Sequence, residues 1–177
     1  AKIKESVKDI AERLINLYGE REHEIAYPFG EDTGMQKDFE AEFEYPLTRD
    51  QASAVEDVKR DMMQTKPMDR LLCGDVGFGK TEVAIRAAFK AVSENKQVAF
   101  LCPTTVLSRQ HYQTFIKRFK NYPVNIAVLN RFVIESKQKE ILHDVALGKI
   151  DILIGTHRIL SKDVKFKDLG FLIIDEE

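Results

Sequence analysis

One stretch limits the possible folds more than any other: RLLCGDVGFGKTEVAIRAAF, residues 70–89, where Gly74, Gly77, Gly79, Lys80 and Thr81 follow a short apolar run and precede an apolar stripe of helical spacing. Closely spaced glycines let the backbone turn so that consecutive N–H groups face inward, and the following helix adds the positive end of its dipole. The order G-x-x-x-x-G-K-[ST] therefore reads as a phosphate loop between strand and helix. Lys80 would reach the β and γ phosphates of a nucleotide, and Thr81 would offer its hydroxyl to Mg²⁺. The alternative is a glycine-rich strand-to-helix turn that binds nothing. Phe78 reads less clearly from the residues alone, with packing outward against neighbouring structure as the simplest role.

From Leu47 onward, helical stripes alternate with short β-branched apolar runs. The spacing predicts helices near 49–64, 80–94, 105–119 and 135–147, and strands near 70–73, 97–102, 124–129, 150–154 and 171–174. Strands as apolar as QVAFLC and FLII suit a parallel sheet covered on both faces, so the fold class is α/β, doubly wound. Residues 2–18 carry Ile3, Val7, Ile10, Leu14, Leu17 and Tyr18 as one stripe of an amphipathic helix. Gly19 is placed to end it, and residues 20–46 read as a linker with one short helix near Met35 to Phe43. The expected organisation is thus a linking helix and linker over 1–46 and one lobe over 47–177.

A length of 177 residues, 44% of them apolar, supports one core, and no window approaches a membrane span. With 27 Lys+Arg against 29 Asp+Glu, the chain is neither a polycation nor an acidic tail. Cys73 and Cys102 lie inside apolar runs and no secretory signal opens the chain, which points to the cytoplasm. The start without Met and the ending FLIIDEE read as a piece cut from a longer polypeptide.

The run 171–174 delivers Asp175, Glu176 and Glu177 at a strand's carboxyl end, where ligands bind in open α/β sheets. Adjacent carboxylates repel unless a cation is near. Asp175 is assigned to the Mg²⁺ shell and Glu176 to orienting the attacking water, beside Lys80 on the phosphates. Upstream, Thr48 and Gln51 stand three apart at a helix start. Gln51 can close a capping box, or it can give adenine a paired donor and acceptor with Phe43 or Tyr45 as a stacking face; the two roles are compatible. Two further loops should leave strand ends: Thr104, Thr105, Arg109, Gln110 and His111 in one, Thr156, His157, Arg158 and Lys162 in the other. Their hydroxyl, amide and cationic groups suit phosphate oxygens, and a near-neutral net charge does not exclude nucleic acid if cations cluster on one face. His23, His111, His143 and His157 show no metal-ligand spacing, so no zinc is assigned.

GDVGFGKT, PTT followed by QHYQTF, GTHRIL and LGFLIIDEE resemble the first motor lobe of superfamily 2 helicases, in the group that holds the RecG helicases and the transcription-repair coupling factor (Mfd) family. PMDRLLCGDVGFGKTEVAIRAAF and the terminal KESVKDIAERLINLYGERE are similar to the coupling-factor side of that group, where RecG-like chains carry a small residue at the place of Phe78. The resemblance covers essentially the whole chain and implies a RecA-like lobe that binds ATP with Mg²⁺. It further implies a double-stranded DNA translocase that pushes on stalled RNA polymerase and hands the lesion to nucleotide excision repair, through domains outside this chain. By resemblance, Gly74, Asp75, Val76, Gly77, Phe78, Gly79, Lys80, Thr81 and Glu82 meet the nucleotide, and Phe43 and Gln51 read the adenine. Thr104, Thr105, Arg109, Gln110, Thr156, His157 and Arg158 meet nucleic acid, and Thr81 and Asp175 hold the metal. The family's arginine finger sits on a second lobe, so the chain alone is expected to bind ATP and barely hydrolyse it. Rival expectations are a fork-remodelling helicase lobe of the RecG kind, a nucleotide-gated docking module without catalysis, and a small-molecule P-loop kinase.

Overall fold

In the computed structural model, residues 16, 20, 23–74 and 79–175 are described. The order is α1 (Gly34–Ala41), α2 (Arg49–Met62), α3 (Lys80–Ser93), β1 (Gln97–Leu101), α4 (Thr105–Arg118), β2 (Ile126–Leu129), α5 (Glu135–Ala146), β3 (Ile152–Gly155), a 3-10 turn (His157–Leu160) and β4 (Leu169–Ile174). The amphipathic helix expected over 2–18 lies outside the described residues, Asn16 apart.

The four strands form one parallel sheet in the order β2-β3-β1-β4. Side chains alternate across a strand, and the two faces carry different layers. Val98, Phe100, Ile152 and Ile154 pack under α3 and α4 with Val83, Ile85, Phe89, Phe115 and Phe119. Ala99, Leu101, Ala127, Leu129 and Leu153 pack under α5 with Ile141 and Val145. Burial on both faces explains why β1 and β3 read as unbroken apolar runs. Parallel strands begin at one end of the sheet and finish at the other, so the segments that follow β1, β2, β3 and β4 all emerge at its carboxyl end. α3 rejoins β1 through only Glu94–Lys96, which places its C-terminus at the amino end of the sheet and turns its N-terminus toward the opposite end.

The expected strand at 70–73 does not form. Residues 67–74 have no regular structure; Leu72 packs half-buried against the core, while Leu71 is 84% exposed and Cys73 is exposed. An apolar run becomes a strand only when its backbone groups find a ladder. Among the described residues β4 pairs with β1 alone, so its outer edge brings no partner to this run.

Residues 26–43, expected to stand apart from the lobe, are part of its packing. Phe39 on α1 is fully buried and stacks on Phe89 of α3, with centroids 4.0 Å apart, and the Arg118 guanidinium of α4 lies over its ring, 4.0 Å from the centroid. Lys59 bridges Asp32 and Glu40 at 2.6 Å each, and Lys90 binds Asp32 at 2.9 Å and the Gly30 carbonyl at 2.6 Å. The backbone adds Ala26 N to Thr65 O and Phe29 N to Met62 O.

Candidate nucleotide and nucleic-acid site

The start of α3 departs from ordinary capping. Its N-cap is Gly79, with φ +75° and no side chain to cap the first turn; the Glu82 N–H donates to the Gly79 carbonyl at 3.1 Å, and a helix start without a side-chain cap suits an anion at its leading N–H groups. A Cβ at Gly79 would lie 2.0 Å from Nε2 of Gln51. Glycine suits the left-handed backbone there, and its missing side chain lets the Gln51 amide approach. Lys80 and Thr81, half-buried, open the helix. Gly74 is exposed at the near side of the loop, and Asp75, Val76, Gly77 and Phe78 lie outside the described residues.

Gln51 closes the capping box: the Thr48 N–H donates to its Oε1 at 2.9 Å, and its own N–H donates to Thr48 Oγ1 at 3.2 Å. That bond holds the amide in its place against Gly79. Phe43 is half-buried, edge-on to Tyr45, with the guanidinium groups of Arg86 and Arg118 at 5.7 and 5.8 Å from its centroid.

Glu82 goes elsewhere. Its side chain is 4% exposed and accepts from Arg86 Nε at 2.9 Å and Arg118 NH2 at 2.8 Å, so its carboxylate is committed to two guanidinium groups. It braces α3 against α4. The Glu-to-Arg spacing of four in KTEVAIR carried that signal.

Asp175 follows β4, its N–H donating to the Leu101 carbonyl at 2.9 Å. Its Oδ2 accepts from Nε2 of His111 at 2.8 Å. Burial first, and then the nearby Asp175 charge, push the Cys102 thiol up to about 12. Glu176 lies outside the described residues. A half-buried carboxylate, a threonine hydroxyl and an uncapped helix start fit Mg²⁺ with a nucleotide, since Mg²⁺ is usually bound through one or two carboxylates plus substrate phosphates and water.

The loops at the carboxyl end separate into free and committed groups. Thr104 caps α4, accepting from Leu107 N at 3.2 Å; it is exposed, as are Arg109 and Gln110, and Thr105 is half-buried. After β3, Thr156 is half-buried and His157 exposed, but Arg158 is held. Its NH1 and NH2 donate to Asp163 at 2.8 Å each and its Nε to Gln138 at 3.0 Å. Arg158 thus shapes its loop and is not a free phosphate contact. A third loop, after β2, was missed: Arg131 and Phe132 are exposed, and buried Asn130 holds them by accepting from Phe132 N and donating to Ser108 Oγ. The signal was an Asn just after an apolar strand, a residue that bonds its own backbone two positions on.

A profile of the DEAD/DEAH box helicase family matches residues 48–177. The chain belongs to that family. Along its whole length this helicase lobe is 56% identical to the transcription-repair-coupling factor of Staphylococcus aureus (strain USA300) and 55% identical to that of Staphylococcus haemolyticus (strain JCSC1435). It spans 15% of the length of each. The structure of RecG bound to a three-way DNA junction superposes on 92% of the lobe with a TM-score of 0.85 at 36% identity, using 22% of that chain. The parallel sheet with helices on both faces is accordingly a RecA-like lobe. Among the described residues no helix is long and apolar enough to cross a membrane.

Proposed function

We propose that the chain is the ATP-binding first lobe of a double-stranded DNA translocase, and that the parent protein displaces stalled RNA polymerase and couples transcription to nucleotide excision repair. The observation that carries the nucleotide part is the left-handed Gly79 at an uncapped helix start, pressed against the Gln51 amide. The N–H groups of Lys80 and Thr81 at the start of α3 and the Lys80 ammonium would receive the phosphates, Phe43 would offer a face to the base, and Gln51 would turn its amide edge to adenine. Thr81 and Asp175 would hold Mg²⁺, which neutralises charge on the β and γ phosphates. Glu176 would orient water. Identity of 56% to coupling factors over the full chain, against 36% to RecG, favours polymerase displacement over fork remodelling. In isolation the chain should bind ATP with little turnover, since an arginine supplied from elsewhere contributes ~10³ or more to phosphoryl transfer.

For the DNA part, Thr104, Thr105, Arg109 and Gln110 with Thr156 and His157 supply phosphate contacts at one end of the sheet. Fluorescence anisotropy with a labelled duplex should show salt-dependent binding that Arg109→Ala weakens, lowering the salt slope by ~1. Binding insensitive to both salt and Arg109 would remove the duplex-contacting role.

A further inference from the structure

The His111 contact does work that neither the phosphate loop nor the DNA-facing loop accounts for. α4 begins in Thr104 and Thr105, carries Arg109 in its second turn, and carries His111 two residues later. His111 turns inward. Its ring lies 4.7 Å from that of buried Phe100 on β1, and Nε2 reaches Oδ2 of Asp175. A carboxylate only accepts, so the ring nitrogen is the donor. Asp175 is thereby fixed from two elements: its main chain by β1 through the Leu101 carbonyl, its side chain by α4 through His111.

We propose that His111 is a positioning residue that couples the duplex-contacting start of α4 to the metal-holding carboxylate Asp175. This rests on the reading of Asp175 as a Mg²⁺ ligand and of the α4 loop as a DNA contact. A ligating carboxylate is oriented by the hydrogen bond on its other oxygen, and removing such a partner typically weakens metal binding ~10–100-fold. Here the partner sits on the helix that meets the phosphate backbone. Any shift of α4 on binding DNA moves His111 against Asp175, and by linkage Mg²⁺-nucleotide must change DNA affinity by the same factor that DNA changes Mg²⁺-nucleotide affinity.

The test uses the 177-residue chain, a fluorescent adenine nucleotide, Mg²⁺ titrated from zero, and a DNA duplex present or absent. The quantity read is the ratio of Mg²⁺ midpoints with and without duplex, in which a uniform loss of binding cancels. Wild type should show a ratio of about five or more. His111→Phe keeps a ring against Phe100 but no donor; it should raise the Mg²⁺ midpoint about tenfold and bring the ratio to one. His111→Gln keeps a donor and should preserve the wild-type ratio. If His111→Phe is poorly folded, loss of the donor is read by His111→Leu under the same comparison with His111→Gln. A wild-type ratio retained in the variants without a donor overturns the coupling. So does a ratio of one in wild type, and there the Lys80→Ala control separates the two readings: nucleotide binding lost in that variant keeps the phosphate loop standing, whereas binding unaffected by it removes that too.

Discussion

Lys59 sits where α2 meets the chain that precedes it, its ammonium between Asp32 and Glu40 and its side chain 9% exposed. Burial works against its charge, but the hydrogen bonds it donates to Asp32 and Glu40 prevail and raise its pKa; burial likewise opposes the charge of Asp32, and the Lys59 and Lys90 ammoniums prevail and lower it. A depressed carboxylate contributes stability that is lost as pH falls through its folded pKa, below the usual 3.8, and a raised amine contributes stability that is lost as pH rises past the usual 10.5. The cluster is therefore at full strength across neutrality. Replacing Lys59 by Met strips Glu40 of its close ammonium and leaves Asp32 with Lys90 alone, and should destabilise by about 3 kcal/mol, toward the low end for a broken buried pair because Lys90 remains and both carboxylates retain some water. Thermal melting of wild type and Lys59→Met should differ by a constant amount from about pH 5 to pH 9 and converge in acid. A difference that already vanishes at neutral pH contradicts this account of the cluster.

At the scale of elements, α1 decides whether the segment before Leu47 belongs to the lobe. Phe39 fills a fully buried site between Phe89, Phe119, Tyr122 and Arg118. Phe39→Ala should cost about 3–5 kcal/mol of lobe stability in denaturant titration, whereas less than about 1 kcal/mol would mean that α1 packs without supporting the lobe. The sequence showed the helix itself but not its docking, because an eight-residue helix announces a single apolar side and not the partner that covers it. Helices α2 to α5 were legible from spacing and capping letters, Thr48 with Gln51 above all, and β1 to β4 from apolar runs. The apolar letters of 70–73 were equally strand-like, and no local pattern states whether a ladder exists. At the site, the lysine-threonine turn and the acidic strand end were readable. That Glu82 is also held by Arg118, that Arg158 is held by Asp163 and Gln138, and that His111 faces Asp175, depends on pairs up to 64 residues apart.

For the whole molecule, sheet and loops serve one arrangement. Parallel strands deliver the segments after β1, β2, β3 and β4 to the same end, so the proposed nucleotide site and nucleic-acid surface would share one end of the sheet with α4 between them. Every functional reading depends on α3 beginning as a phosphate cradle. The most direct test is a titration of the chain with a fluorescent adenine nucleotide and Mg²⁺, beside Lys80→Ala; the chain contains no tryptophan to interfere with the signal. Saturable binding that falls at least about tenfold, some 1.4 kcal/mol, in the variant is the predicted result. Binding of equal strength in both proteins, or none in wild type, contradicts it.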